Sequence, residues 1–123
     1  MGIAEDVRFI INQPAYSYYQ LFDYFAQTSD KEGISIALLE AMSFGLTCVV
    51  TTKEEKHAVI ESGSNGLVVE AGNIQKLVQA FERLIENSPQ HRSLGEKAIK
   101  TVERSFNRQH MLVGYTKIFE ELV

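Results

Sequence analysis

Two carboxylates stand out in this sequence because neither helix propensity nor packing explains them. Glu32 and Glu40 bracket the mostly apolar segment Glu32-Gly33-Ile34-Ser35-Ile36-Ala37-Leu38-Leu39-Glu40. An ionised carboxylate buried without a partner costs several kcal/mol, so Glu40 needs a hydrogen-bond donor or a cation. It could form a structural pair with an Arg or Lys, or sit at a rim facing water. It could equally accept two hydroxyls of a ribose, as carboxylates do in other nucleotide sites.

The residues between these two carboxylates have the properties of an anion site. Gly33 lets the backbone approach a ligand closely, and Ser35 is a good N-cap. A helix that begins here presents unpaired amides and the positive end of its dipole. A strand is predicted to end just before, near Ala26, and open α/β sheets bind ligands at the carboxyl ends of their strands. The segment therefore predicts a phosphate-binding helix N-terminus.

The first half of the chain alternates short apolar runs with helical patterns, which is typical of parallel strands joined by crossover helices. Between the second and third runs, Ile36 to Met42 is rich in helix formers and is followed by Gly45, which predicts a helix buried nearly all round. The predicted strands are Val7 to Ile10, Tyr24 to Ala26, Thr47 to Thr51 and Leu67 to Val69. An α/β fold follows from this alternation.

The second half is predicted to be helical. Asn73 is a candidate N-cap, Ser88-Pro89 is a second helix start, and Asn107 is a third. The apolar positions expected to face the core are Ile74, Leu77, Val78, Phe81, Leu84 and Ile85 in the first helix; Leu94, Ala98 and Val102 in the second; and Met111, Leu112, Tyr115, Ile118, Phe119 and Leu122 in the third. We expect one partial domain over residues 1–123, with an α/β part at 1–72 and a helical part at 73–123.

Length, charge and hydropathy exclude several classes of protein. A chain of 123 residues makes one domain of ordinary size, so catalysis that needs two domains is excluded for this chain alone. A net charge of −4 without a Lys/Arg cluster argues against nucleic-acid binding. No apolar stretch approaches the roughly 20 residues that span a bilayer, and no signal-peptide pattern begins the sequence. We expect a cytoplasmic protein.

The cysteine and the histidines give weak indications of chemistry. Cys48 lies in the apolar run Thr47-Cys48-Val49-Val50, which favours burial over the electropositive, accessible setting of a reactive thiolate. His57 is interpreted as an exposed surface residue at the head of a short helix. His91 and His110 lack metal-ligand spacing and are interpreted as surface residues too.

Residues Asp6 to about Val123 resemble the C-terminal part of glycosyltransferase group 1, a large family of retaining enzymes (family four) with the two-Rossmann-domain GT-B fold. The order and spacing of the matching pieces cover nearly the whole chain. They are Val7-Arg8-Phe9, Asp23-Tyr24-Phe25, the Glu-x7-Glu pattern from Glu32 to Glu40 with Ala41-Met42-Ser43 and Gly45, Cys48 to Thr51, Asn65 to Val69, and Gly72-Asn73. The resemblance implies a Rossmann-like parallel sheet of three to four short strands with flanking helices, followed by a helical C-terminal part.

The resemblance implies a role for each carboxylate. Glu32 would be the catalytic residue, lying at the donor sugar and helping to stabilise or orient it while the nucleotide diphosphate departs. Glu40 would bind the ribose hydroxyls of the nucleotide. A UDP-sugar is the most common donor in the family.

The resemblance also implies donor-binding roles for the backbone between the carboxylates. Gly33, Ile34 and Ser35 would contact the sugar hydroxyls. The amides of Ile36 and Ala37 would contact the diphosphate. Such enzymes stabilise the leaving phosphate with a helix dipole and cations, so we expect neither a metal nor a cofactor beyond the nucleotide-sugar donor. The sequence agrees to the extent that it has no Asp-x-Asp pair.

The sequence departs from the family pattern in two places. Family members carry a Gly pair followed by Pro-Glu after the third strand, where this chain has Thr52-Lys53-Glu54-Glu55-Lys56-His57-Ala58. Thr47 stands where Pro is common. The missing glycines raise the question of whether this loop still contacts the donor.

The resemblance further implies an N-terminal acceptor domain and a Gly-Arg-Leu strand-loop that this chain lacks. We therefore expect the donor half of a hexosyl- or N-acetylhexosaminyltransferase of polysaccharide or glycolipid assembly, inactive alone. Its acceptor would be a glycan or a lipid-linked group, and the full-length parent could be membrane-peripheral.

Two absent strands would leave the Tyr24 strand unpaired on one side, which predicts self-association as a homodimer. The alternative function is a non-catalytic Rossmann-like module that binds a nucleotide or a partner.

Overall fold

The computed structural model describes residues 4–9, 16–28 and 35–106. After a 3-10 turn at Ala4–Asp6, the described elements form a parallel sheet with helices packed on it. The elements are α1 (Tyr16–Tyr19), β1 (Tyr24–Gln27), α2 (Ile36–Ser43), β2 (Thr47–Thr52), β3 (Leu67–Glu70), α3 (Ile74–Glu86) and α4 (Ser88–Ser105). The predicted α/β architecture is confirmed.

The sheet has the strand order β1-β2-β3, and both pairings are parallel. Tyr24 pairs with Thr47 in the first, and Val49 pairs with Leu67 in the second. Three of the four predicted strands are confirmed within one residue at each end. The predicted strand at Val7 to Ile10 is wrong over Val7 to Phe9, because an apolar run forms a strand only where a neighbour completes its hydrogen bonds, and no described strand lies beyond β1. Ile10 lies outside the described residues.

The central strand separates two apolar clusters because successive side chains of a strand point to opposite faces. Cys48 and Val50 face a cluster with α2 and the buried Ala98 of α4. Val49 faces a cluster with Leu84 of α3 and Leu94 of α4. Every residue of β2 is buried, as expected for a parallel strand covered on both faces.

Helix α2 begins and ends where the sequence predicts. Ser35 is the N-cap, and its Oγ accepts the amide of Leu38 at 3.3 Å. The chain turns into β2 through Gly45, whose φ of 76° lies in the left-handed region that favours glycine. The prediction that α2 is buried nearly all round is wrong at both ends of the helix, because Ile36 is 49% exposed and Ser43 is exposed. The helix covers only one face of a three-stranded sheet, so its other side meets solvent.

Helices α3 and α4 confirm the predicted helical second half as far as Phe106. Asn73 caps α3 as predicted, whereas α4 is capped by Asn87 and not by Ser88. Leu84, Leu94 and Ala98 are buried as predicted. The inward placement of Ile74, Val78 and Ile85 is wrong, because they are 75%, 48% and 64% exposed. The apolar stripe of α3 is wider than the surface it covers. The third predicted helix lies outside the described residues.

Helix α4 crosses the amino-terminal edge of the sheet, formed by the strand starts Tyr24, Thr47 and Leu67 together with the turns that precede β2 and β3. It comes so close that a Cβ on Gly95 would lie 2.3 Å from the carbonyl oxygen of Gly45. Further along the helix, Thr101 Oγ1 accepts a hydrogen bond of 3.0 Å from Asn65 Nδ2. The division of the chain at residue 72 stays a prediction.

Candidate functional site

The carboxyl edge of the sheet, where the strands end at Gln27, Thr52 and Glu70, lies at the opposite end from the α4 crossing. Ligands of open parallel sheets bind at this edge. Helix α2 connects β1 to β2 and therefore begins at the carboxyl edge and ends at the amino-terminal edge. The predicted anion site is thus at the expected edge of the sheet.

The start of α2 is joined to the end of β1 by a side-chain contact. Gln27 Nε2, from the last residue of β1, donates to Ser35 Oγ at 2.9 Å. Ser35 Oγ therefore accepts two hydrogen bonds, one from this amide and one from the Leu38 backbone. The amides of Ile36 and Ala37 make no hydrogen bond to any described residue. Within the described part of the chain, these two N–H groups at the positive end of the helix therefore have no acceptor.

Glu40 lies one turn further along α2 and is half-buried. Among the described residues, the hydroxyl of Tyr19 lies close enough for the Glu40 charge to raise the pKa of the phenol. No described Lys or Arg forms an ion pair with Glu40; the surface pair Lys76–Glu70 joins α3 to the end of β3. A pairing with a cation therefore finds no support in the described part of the chain.

Tyr19 is 3% exposed, and its ring packs against Phe22, Phe25 and Phe44. Its hydroxyl reaches α2, lying 3.4 Å from the Ala37 carbonyl oxygen. Burial raises the pKa of the Tyr19 phenol above its usual value, and the negative charge of Glu40 raises it further. The phenol therefore stays protonated and keeps its donor. No local pattern in the sequence indicates this neighbour of Glu40, because Tyr19 belongs to a different element.

Three predicted site residues, Glu32, Gly33 and Ile34, lie outside the described residues. The structure describes the donor-binding candidates Ser35, Ile36, Ala37 and Glu40, and they share the first two turns of α2 and its cap. Their roles toward a donor remain predictions. The loop at residues 53–58, which lacks the family's glycines, follows the carboxyl end of β2 and is exposed except at His57.

His57 and His91 are not the surface residues that the sequence predicted. His57 is half-buried and heads no helix; its Nδ1 accepts the amides of Val59 and Ile60, both at 3.1 Å. His91 is half-buried on α4, where its ring stacks on Tyr24 with centroids 4.6 Å apart. The Thr47 hydroxyl contacts His91 Nδ1 and donates to the His91 carbonyl at 2.8 Å. Both histidines support the backbone, and His110 lies outside the described residues.

Cys48 behaves as the sequence predicts. The thiol is fully buried, and burial raises its pKa to about 12, so the reactive thiolate is absent at neutral pH. Within the described ranges, no group of His, Cys, Asp or Glu side chains could hold a metal ion. No helix there is long and apolar enough to cross a membrane.

Comparison with known proteins identifies the family. The model of the family described as glycosyl transferases group 1 matches residues 1–101. The chain is also 28% identical over 95 residues to the N-acetyl-alpha-D-glucosaminyl L-malate synthase of Bacillus anthracis, covering 77% of this chain and 25% of that protein. This chain belongs to the group 1 glycosyltransferases. It spans about a quarter of the length of that curated relative.

Solved structures agree on the fold. The C-terminal domain of the group 1 glycosyl transferase LpcC from Francisella tularensis matches with a TM-score of 0.71 and 24% identity, covering 83% of this chain and 53% of that one. HepE of Anabaena, in complex with UDP, matches with a TM-score of 0.68 and 21% identity, covering 80% of this chain and 28% of that one. The described sheet and helices have the fold of a GT-B C-terminal domain.

Proposed function

We propose that this chain is the donor-binding part of a retaining glycosyltransferase that transfers a sugar from a nucleotide-sugar, most simply a UDP-sugar, to a glycan or lipid-linked acceptor. One observation carries the proposal. Glu40 is a half-buried carboxylate in an otherwise apolar stretch of helix, and among the described residues it lies near the neutral Tyr19 hydroxyl and forms no ion pair with a cation. A carboxylate in this setting can accept several donors, and two ribose hydroxyls would supply them.

The start of α2 would bind the diphosphate. The amides of Ile36 and Ala37 have no described acceptor and lie at the positive end of the helix. They are three to four residues before Glu40, about one turn of helix, so a nucleotide could place its phosphates on them while its ribose reaches Glu40. HepE, a protein of the same fold, has been solved in complex with UDP, which supports a nucleotide as the ligand of this chain.

The proposed reaction depends on stabilising the negative charge that develops on the leaving diphosphate. As the bond between the sugar and the diphosphate breaks, negative charge grows on the phosphate oxygens, and helix amides aimed at them stabilise the transition state. Glu32, predicted at the donor sugar, would stabilise or orient that sugar as the bond breaks. The acceptor would come from an N-terminal domain, so transfer by this chain alone is not expected.

Glu40→Gln in this chain tests the ribose contact. We expect the affinity for UDP to fall about 10-fold or more, since a hydrogen bond to a charged group contributes about 1.5–3 kcal/mol. Isothermal titration calorimetry measures the affinity, and Glu96→Gln, which removes an exposed carboxylate of α4, is the matched control. Unchanged affinity together with lowered thermal stability would instead make Glu40 a structural residue.

Glu32→Ala in the full-length parent tests the catalytic role. Turnover should fall much more than folding stability or donor affinity, because the residue would act on the transition state. Sugar transfer and thermal unfolding are measured on the same preparation. Wild-type turnover in this variant would remove Glu32 from the mechanism.

The altered loop at residues 53–58 favours one alternative, a module of this fold that binds a nucleotide without transferring sugar. Its exposed Lys53, Glu54, Glu55 and Lys56 replace the glycines of the family pattern. A parent that binds UDP but neither transfers sugar nor hydrolyses any nucleotide-sugar donor would support the alternative. Detectable transfer or donor hydrolysis would exclude it.

A further inference from the structure

A cavity of about 410 Å³ lies at the amino-terminal edge of the sheet, between the second half of α4 and the loop at residues 61–66 that leads into β3. Its volume is in the range of small-molecule sites. The described side chains that line it are all polar or charged, which fits a hydrophilic ligand and not an apolar one. None of these lining residues belongs to α2, so the cavity is separate from the proposed donor site.

The two walls of the cavity are joined by a buried side chain. Asn65, which is 7% exposed, donates from Nδ2 to Thr101 Oγ1 on α4 at 3.0 Å. Its Oδ1 accepts the amide of Glu61 in the loop at 2.8 Å. These hydrogen bonds fix the loop against the helix. The shape of the cavity therefore does not depend on the exposed side chains at its mouth.

The cavity carries an excess of positive charge. Helix α4 contributes Lys97, Lys100 and Arg104, whose spacing of three and four residues places them on one face of the helix. Three cations against one lining carboxylate, Glu61, leave two positive charges in excess, although the whole chain has a net charge of −4. Within the described ranges, none of the three cations forms an ion pair.

The dipole of α4 does not account for this cluster. A cation is favoured in the last turn of a helix, and Arg104 lies in the last turn of α4. Lys97 and Lys100 lie before that turn, and the effect falls off within it. The buried groups of this edge satisfy one another, whereas the exposed cations are left to meet solvent or a ligand.

We propose that this cavity is a second ligand site, which binds a small phosphomonoester of the phosphorylated-sugar class. The three cations of α4 would bind the phosphate, with a further hydrogen bond from the Ser64 hydroxyl. A phosphomonoester carries a charge of about −1.5 to −2 near neutral pH and three acceptor oxygens, which matches the two positive charges in excess. Glu61 would repel a phosphate, but it can accept the hydroxyls of the sugar. This inference does not rest on the proposed function.

The test is an amide-resolved NMR titration of this chain with glucose 6-phosphate, glucose 6-sulfate, inorganic phosphate and glucose. The sulfate ester has nearly the shape of the phosphate ester but a single negative charge. Lys100→Gln removes one cation of the cavity. Arg92→Gln is the matched control, because it removes an exposed cation of α4 that does not line the cavity. Glu61→Gln tests the contact with the sugar.

We expect glucose 6-phosphate to shift the amides of residues 61–66 and 97–105 and to bind about 10-fold more tightly than glucose 6-sulfate. Lys100→Gln should weaken its binding about 5-fold, since an exposed charge is partly screened by solvent. Arg92→Gln and the donor-site variant Glu40→Gln should leave its affinity at the wild-type level. Glu61→Gln should strengthen the binding of inorganic phosphate and lower the preference for glucose 6-phosphate over inorganic phosphate.

Each other result overturns a stated part of the proposal. Absence of shifts at the cavity with glucose 6-phosphate refutes the site. Equal affinities for the two esters, or equal losses in Lys100→Gln and Arg92→Gln, reduce it to unspecific attraction of anions. Binding of phosphatidylglycerol vesicles through Lys100 without binding of the soluble ester makes the cluster a membrane-contacting surface instead. An unchanged preference in Glu61→Gln refutes the sugar contact.

Discussion

The two edges of the sheet are built differently. At the amino-terminal edge, polar groups are buried and satisfied. The Thr47 hydroxyl donates a hydrogen bond to the His91 carbonyl, and Asn65 forms hydrogen bonds with its own loop and with Thr101. Gly95 lies against the turn at Gly45. At the carboxyl edge, the first amides of α2 have no described acceptor, and Glu40 faces a neutral hydroxyl.

This difference separates the residues that stabilise the fold from those that can bind a ligand. A buried polar group stabilises a fold only if its partners are present in the chain. A ligand site needs the opposite arrangement, with donors and acceptors held in place but not yet satisfied. Substitutions at the amino-terminal edge should therefore lower stability, and those at the carboxyl edge should lower nucleotide affinity.

The largest effect is expected at the contact between α4 and the turn before β2. Gly95→Ala places a methyl group 2.3 Å from the Gly45 carbonyl oxygen, which the backbone must move to accommodate. We expect a loss of about 3 kcal/mol in the free energy of unfolding, the upper end for overpacking. Helix propensity alone predicts a gain of about 1 kcal/mol. The sign of the change in the free energy of unfolding, measured in urea, therefore distinguishes overpacking from helix propensity. Glu96→Ala at the exposed neighbour is the control.

A smaller loss is expected at Asn65, which is 7% exposed. Its Oδ1 accepts the Glu61 amide at 2.8 Å, and its Nδ2 donates to the Val59 carbonyl and to Thr101 Oγ1. Asn65→Ala should cost about 2 kcal/mol, because the buried groups left behind lose their partners. Chemical denaturation measures the loss. Stability within a few tenths of a kcal/mol of wild type would mean that the hydrogen bonds of Asn65 contribute little to the stability of this edge.

Cys48, near the start of β2, makes the stability depend on pH. Its thiol has a pKa of about 12 when folded and an ordinary value of 9.0. Between these values the unfolded chain binds fewer protons than the folded one, so stability falls as pH rises. The slope should be about 1.4 kcal/mol per pH unit above the ordinary value.

The measurement for Cys48 is the difference in unfolding free energy between the wild type and Cys48→Ala, taken at about pH 8 and about pH 10. The raised pKa of Tyr19 acts in the same direction in both proteins, and the Cys48 charge is the last-ranked of its causes, so most of its contribution cancels in the difference. A difference that does not change with pH would show that solvent reaches the thiol.

The smallest stability effect is expected for the helix caps, and it tests whether the carboxyl edge binds the nucleotide. Ser35→Ala and Asn73→Ala each remove an N-cap, of α2 and of α3. Each should cost about 1 kcal/mol in urea unfolding. Only Ser35→Ala should also weaken UDP binding, because it loosens the helix start that presents the amides of Ile36 and Ala37. Equal UDP affinities in the two variants would place the nucleotide elsewhere.

The elements that local signals encode were predictable. Alternation of apolar runs and helix formers predicted three strands and helices α2, α3 and α4, and Ser35 and Asn73 were recognised as caps. Predictions failed where the outcome depended on which surface was available to cover a residue. Val7 to Phe9 has no described neighbour strand, and Ile74 and Ile85 lie on a part of α3 that nothing described covers.

The sequence by itself determined the fold class, the family and the helix start between two carboxylates, because each depends on residues close together along the chain. Only the tertiary structure decided which groups partner one another. Thr47 meets His91 across 44 positions, and Tyr19 meets Glu40 from a separate element. Neither pairing has a local pattern, since it arises when α4 crosses the sheet or when α1 packs under α2.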